Sequence, residues 1–340
     1  MKILAIIDKF KGTLSSKTLG KLTKDSLSMK GHDVDYYCIS DGGDGFLDSI
    51  YNNKMVKKYV NVLDALGNKK QVYYYVDNNN VYIEVAKIIG RNKDNKYDIY
   101  NASTYGVGQV IKHAIKNNGK NFFIGLGGSI TNDGGKGMLE ALGYKFVDNK
   151  VINNSNISFK DYKFTIVSDV SSPLLGDNGA TYMFSKQKGA KEIDLPILEK
   201  KMIEYSNIIT SYLNKDFTYY EGSGAAGGLG FAFLSILNGT YIKGINFVLD
   251  HLNIDKIIDK YDLIITGEGK IDEQSLNGKI VFEITKRYNK ETIIVCAINE
   301  CDSKTHKIYS IVNNITNEEN SMKHPRKYYK QLIESIKIES

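Results

Sequence analysis

Three acidic stretches rich in glycine each follow a run of apolar residues: Asp41-Gly42-Gly43-Asp44-Gly45, Gly127-Gly128-Ser129-Ile130-Thr131-Asn132-Asp133-Gly134-Gly135 and Thr266-Gly267-Glu268-Gly269-Lys270-Ile271-Asp272. Glycine leaves backbone amides open to a bulky anion, and a carboxylate beside a phosphate makes electrostatic sense only with a cation between them. The chemistry open to such residues is phosphoryl transfer with Mg²⁺. One such stretch alone could be a tight turn. Three of them, each at the end of an expected strand, point to a ligand site, because ligands of open parallel sheets gather there.

Other residues share that placement. Lys11, in Asp8-Lys9-Phe10-Lys11-Gly12, closes the first expected strand, and Asp169 follows the apolar run that starts at Phe164. Gln187-Lys188-Gly189-Ala190 forms a further basic turn. Lys11, Asp41, Asp133 and Asp169 are the catalytic candidates. Glu268 and Asp272, four apart at what reads as a strand-to-helix turn, are candidates for holding Mg²⁺. Gly127, Gly128, Ser129, Lys188, Gly224, Gly227, Gly228, Gly267 and Lys270 are candidates for binding nucleotide or phosphate. The run from Glu221 to Gly230 opens an apolar helix, and a helix N-terminus with free amides suits an anion. Gly222, Gly224 and Gly227 also match the dinucleotide fingerprint, with Asp250 beyond, which keeps a nicotinamide-dependent oxidoreductase as a rival reading. There is no Walker A sequence and no protein-kinase signature set.

The elements that must position these residues alternate at both ends of the chain. Ile3 to Ile7 reads as a strand, Ser16 to Met29 as a helix with Ser15 or Ser16 as its cap, and Val34 to Ile39 as a strand before a helix after Gly45. The same rhythm returns with strands at Leu263 to Ile265, Ile293 to Ala297 and Tyr309 to Val312, and helices from Ile280 and from about Tyr328. Between them, Val72 to Val76 and Val81 to Val85 read as a hairpin, Gly106 to Asn117 and Pro196 to Tyr212 as helices, and Phe122 to Leu126 and Phe164 to Val167 as buried strands. Asp148 to Ser158 reads as a loop. The fold class is therefore α/β. One discontinuous parallel-sheet domain, residues 1–62 and 258–340, carries a second α/β domain, residues 63–257, inserted within it.

The 340 residues are 42% hydrophobic and 25% charged, which excludes a disordered chain, and no apolar run is long enough to span a membrane. The net charge of +6 comes almost wholly from lysines dispersed among acids, with arginine only at Arg91, Arg287 and Arg326, so a nucleic-acid partner is not expected. Three cysteines, Cys38, Cys296 and Cys301, fit a reducing compartment, and the expected location is the cytoplasm.

The motifs from Asp8 to Gly12, Ser40 to Gly45, Ala102 to Gly108 and Gly127 to Gly137, then Ser168 to Gly176, Gln187 to Ala190, Gly224 to Gly230 and Thr266 to Lys279, resemble in order those of the bacterial glycerate kinase type 1 family. That resemblance implies an ATP- and Mg²⁺-dependent kinase phosphorylating the 2-hydroxyl of D-glycerate, in a cleft between a flavodoxin-like domain and the inserted domain. The chain departs from the family pattern at Lys9 and Lys270, where serine and arginine are usual, and at Ile89 and Lys186. These departures leave a second alternative, a catalytically impaired protein that binds nucleotide or sugar acid.

Overall fold

The computed structural model describes residues 1–91, 97–272, 280–301 and 306–338, which form two compact units. The first unit comprises 1–41, 48–50 and 245–340, and the second 42–47 and 51–244. The sequence reading put the junctions near residues 62 and 257. They fall earlier because the strand Val56–Leu63 pairs along its whole length with Lys69–Asp77 of the inserted unit, and because Gly244 donates its amide to Asp169 there.

The first unit holds five parallel strands: β1 Lys2–Ile7, β2 Asp33–Tyr36, β11 Leu263–Ile271, β12 Glu291–Asn299 and β13 Lys307–Ser310. Their order in the sheet is β13-β12-β11-β1-β2. In chain order within the unit this is 2-1-3-4-5, the doubly wound flavodoxin-like arrangement, whose topological switch lies between β1 and β11. Every residue of β1 beyond Lys2 is buried, as a strand covered on both faces requires. Ile3, Ala5 and Ile7 pack with Leu19 and Leu27 of the helix Ser16–Ser28 and with Tyr329, Leu332 and Ile333 of the helix Pro325–Ser335. The Tyr329 hydroxyl lies 2.7 Å from Thr23 Oγ1, so its polar end is answered inside the core.

The second unit holds a six-stranded sheet with the order β10-β9-β6-β5-β4-β3, formed from β3 Val56–Leu63, β4 Lys69–Asp77, β5 Asn80–Glu84, β6 Asn121–Gly125, β9 Lys163–Val167 and β10 Thr240–Ile242. β3, β4 and β5 are antiparallel, and β5, β6, β9 and β10 run parallel. The C-terminal ends of these parallel strands carry Glu84, the Gly127 loop and Asp169. The segment 148–158, read as a loop, instead contains half of a hairpin: β7 Tyr144–Val147 pairs with β8 Lys150–Asn153. Asp148 and Asn149 both adopt positive φ at its two-residue turn, the twist that suits tight hairpins and that Asx residues tolerate. Polar composition hid the strand.

Ser15 is the cap of the helix Ser16–Ser28, accepting from the Thr18 amide at 3.2 Å. Ser16 does something else. Its buried hydroxyl donates to Ile7 O at 2.6 Å and accepts from Ile39 N at 2.9 Å, joining the end of β1 to the segment that leads to Asp41. Ser16→Ala is expected to cost about 1–3 kcal/mol, since it orphans a buried amide and a buried carbonyl together. Urea melts of the two proteins should show a lower midpoint with an unchanged slope, and an unshifted midpoint would remove this tie from the account of the fold.

Candidate active site

Asp8 follows directly on β1, and its amide donates to Gly267 O at 2.8 Å, which brings it level with Glu268 on β11. These two carboxylates thus sit at the topological switch of the first sheet, where open α/β sheets bind ligands. Asp41 joins them through Lys9, whose ammonium is 3.4 Å from Asp41 Oδ1 and 3.8 Å from Asp8 Oδ1. Burial pushes the Asp8 carboxyl up from an ordinary 3.8 to about 7; the Lys9 ammonium opposes that shift, and the Asp41 and Glu268 carboxylates add to it. Asp8 was not among the catalytic candidates read from the sequence. The signal was there, in an acid ending the first strand beside the motif's lysines.

The expected turn from Thr266 to Asp272 is a continuous strand, since β11 pairs with β12 as far as Ile271 opposite Asn299. At about 3.3 Å per residue, the stretch from Glu268 to Ile271 alone spans roughly 10 Å, so Glu268 and Asp272 do not converge as residues of a turn would. Gly267 lies inside the ladder, and a Cβ there would strike the Val295 carbonyl, so its bareness serves strand packing. Lys270 pairs with Glu300 at 2.7 Å, and Lys11 is exposed at the tip of the turn closed by Phe10 and Leu14. The motif residues 273–279 lie outside the described residues.

In the second unit the loop of Ile130 to Gly135 is built around a buried carboxylate. Asp133 Oδ2 accepts from Thr104 N and Thr104 Oγ1, both at 2.8 Å, and from Gly137 N at 3.2 Å, while Oδ1 accepts from Gly135 N at 3.1 Å. Burial raises its pKa against the pull of these donors. A carboxylate so engaged organises a loop. Lys188 is buried in the same loop, donating to Thr131 O at 2.8 Å and Ser129 Oγ at 3.4 Å. Burial lowers its pKa to about 8, with Asp133 pulling the other way. Nearby, Thr131 Oγ1, Asn132 Oδ1 and Ser185 Oγ are buried without a hydrogen-bond partner.

Gly127 and Gly128 bring the neighbouring chain close: a Cβ on Gly127 would lie 2.6 Å from Gly43 Cα. Gly224, Gly227 and Gly228 are buried, and the Gly227 carbonyl accepts from Gly134 N at 3.0 Å. Ala226, Gly227 and Gly228 have positive φ, so the true helix begins after them, and a Cβ on Gly227 would overlap Thr131 O. The glycines expected to bind an anion are used to let two loops touch. No strand precedes this segment, which follows the helix Leu195–Leu213, and Asp250 is ion-paired with Arg287, so the dinucleotide fingerprint lacks its context. Asp169 Oδ1 accepts from Gly244 N at 2.7 Å at the start of the helix Gly244–His251. Ile89 is fully buried in the core and Lys186 pairs with Glu192 at 2.6 Å. Glu84, unmarked by any motif, is buried at the end of β5, accepts from Leu47 N at 2.9 Å and Gly45 N at 3.3 Å, and is answered by Lys87 at 3.4 Å.

The family model described as the glycerate kinase family matches residues 3–338. The chain belongs to the glycerate kinase family. A glycerate kinase of Bacillus cereus is 37% identical over 76% of this chain and 74% of its own length, and a glycerate 2-kinase of Escherichia coli K12 is 33% identical over 86% and 84%. The crystal structure of a protein described as glycerate kinase 2 from Salmonella typhimurium LT2 superposes with a TM-score of 0.76 at 27% identity, covering 98% of this chain and 96% of that one. The chain is thus an enzyme of the glycerate kinase type with the mixed α/β fold of its relatives, acting on a small molecule. Among the described residues no helix is long and apolar enough to cross a membrane.

In this glycerate kinase the Asp8 charge sets a pH dependence of stability. Between about pH 4 and pH 7 the folded protein keeps a proton that the unfolded chain has released, so the contribution is fully present below about pH 4 and lost as pH rises through about 7. Asp8→Asn is therefore expected to raise Tm at pH 8 by the equivalent of up to about 4 kcal/mol, and at pH 5 by less than half of that. Calorimetric scans with EDTA at the two pH values check this, and an equal shift at both would refute a buried charge at Asp8.

Proposed function

We propose that the protein transfers the γ-phosphoryl group of ATP, with Mg²⁺, to the 2-hydroxyl of D-glycerate, yielding 2-phosphoglycerate. The observation that carries this reading is the buried Asp8 carboxyl at the switch of the first sheet, beside Lys9 and Asp41; in the second unit, by itself, the buried Lys188 ammonium donates to Thr131 O and Ser129 Oγ. A carboxylate with a pKa near 7 is matched to taking a proton from an alcohol at neutral pH, and a buried ammonium is matched to a phosphate or carboxylate. Asp8 is assigned the general base. Asp41 orients the same hydroxyl through its contact with Lys9. Lys188 and Ser129 take phosphate or substrate carboxylate, and Gly127 and Gly128 let it approach the backbone. Lys11, exposed, attracts the anionic substrates. Asp133 and Asp169 position their loops, and Gly224, Gly227, Gly228 and Gly267 shape them.

The donors available for Mg²⁺ are hard carboxylate oxygens, among them a buried Asp8 Oδ1 that has no hydrogen-bond partner. Among the described residues no three acidic, histidine or cysteine side chains form a ready cage. Such a donor set fits an ion held by one or two carboxylates together with waters and phosphate oxygens. Glu268 would hold it and the ion would neutralise charge building on the transferred group, whereas Asp272, beyond the end of the extended strand, is too far to share the same ion.

Turnover assays with D-glycerate and ATP should show Mg²⁺-dependent formation of 2-phosphoglycerate. Asp8→Asn and Glu268→Gln should each lower kcat by about 100-fold or more with circular dichroism unchanged. Product carrying phosphate on the 3-hydroxyl would overturn the regiochemistry, binding without turnover would favour the impaired binder, and stabilisation by NAD alone would favour an oxidoreductase.

Lys188 offers a separate test. An anion bound beside it favours the ammonium and raises its pKa from about 8, so ATP binding should take up part of a proton near pH 8.5 and none near pH 6.5. Titration calorimetry in buffers of different ionisation enthalpy measures that uptake, which Lys188→Met should abolish. Uptake retained in the variant would assign the proton elsewhere.

A further inference from the structure

Lys9 is placed where a cation would be expected among the carboxylates of the first unit. Its side chain is only 20% exposed, and the ammonium stands between Asp41 Oδ1 at 3.4 Å and Asp8 Oδ1 at 3.8 Å. Asp8 is 14% exposed, and both Asp41 and Glu268 are near enough to repel its charge. All four residues belong to the same compact unit, so their grouping depends only on the ends of β1 and β11 and on the Asp41 segment tied to β1 through Ser16. Two carboxylates that share one approach attract a divalent ion, and an ammonium fixed at the same point neutralises them without binding anything from solution. The 3.4 Å contact is also a hydrogen bond, which gives the ammonium a direction as well as a charge.

We propose that Lys9 is a positioning residue acting as a tethered counter-cation: it fills the space between Asp8 and Asp41 that a free divalent ion would otherwise occupy. The nucleotide-free protein therefore has no tight divalent site there, and a metal ion enters with the substrate's phosphates. Lys9 keeps the Asp8 and Asp41 carboxylates apart and oriented toward the substrate hydroxyl. A general-purpose surface lysine would do none of this, because it would be solvated and could be exchanged for any polar residue without consequence.

The test is a Mn²⁺ titration of the nucleotide-free protein followed by electron paramagnetic resonance, which is independent of turnover and so of the kinase reading. Lys9→Met is expected to gain one Mn²⁺ site at least about ten-fold tighter than any in the natural protein. Lys9→Arg should not gain it, and adding Asp41→Asn to Lys9→Met should abolish it. In thermal scans Mn²⁺ should raise the Tm of Lys9→Met and leave that of the natural protein unmoved. Equal Mn²⁺ affinity in the natural protein and in Lys9→Met would overturn the proposal, as would a gained site that survives Asp41→Asn. Should Lys9→Met fail to fold alone, restoration by Mn²⁺ but not by KCl of equal ionic strength supports it, and failure of both overturns it.

Discussion

An ion taken out of water costs several kcal/mol unless other charges or hydrogen bonds answer it, and Asp8, Glu84, Asp133 and Lys188 show how differently that is met. Asp133 is answered by four donors, Glu84 by two amides and the Lys87 ammonium, and Lys188 by a carbonyl and a hydroxyl. Asp8 is answered least, with the Lys9 ammonium 3.8 Å away and one oxygen lacking a hydrogen bond. The gradient separates structure from chemistry. Well-satisfied carboxylates hold loops, and the poorly satisfied one is the carboxyl whose pKa burial pushes up to about 7.

The loops that carry these ions are held by backbone packing rather than by large side chains. Gly227 and Gly228 press against Thr131 to Gly134, and Gly127 presses against Gly43. Close approach of bare backbone keeps amides and carbonyls in fixed directions, which a surface loop of the same length would not do. Glu84 extends this from below by gripping the amides of Gly45 and Leu47, so the start of the helix Phe46–Ile50 is anchored to the end of β5. In the first unit Asp8 and Glu268 sit at the C-terminal ends of β1 and β11, where the strand order reverses.

Several glycines stand in positions where a glycine weakens a strand or helix, and the close backbone approaches there account for them. Gly267 illustrates this within β11: it weakens the strand locally, yet it alone lets the strand lie against the Val295 carbonyl and present its own carbonyl to Asp8. Catalysis by positioning and charge neutralisation needs that kind of rigidity, because the phosphoryl group offers the protein little covalent chemistry to perform.

Sequence alone established the strands and helices with strong periodicity, the discontinuous arrangement of the first unit and the family motifs. Each of these is written in near neighbours: the apolar run of Ile3 to Ile7, the 3.6-residue repeat of Tyr105–Lys116, the order of glycines and acids. It missed the hairpin at 144–153, whose strands are only four residues each, and it read a turn where β11 continues, because glycine favours turns unless a neighbouring strand supplies hydrogen bonds. It also could not rank the acids. Asp8, Asp41, Asp133 and Glu268 look alike as residues, and what distinguishes them is desolvation and the partners that folding brings from 29 to 260 positions away. Strand order sets Asp8 beside Glu268, and Thr104 supplies two of the four donors to Asp133. Those properties belong to tertiary contacts, since burial and long-range hydrogen bonds have no counterpart in the local pattern of the chain.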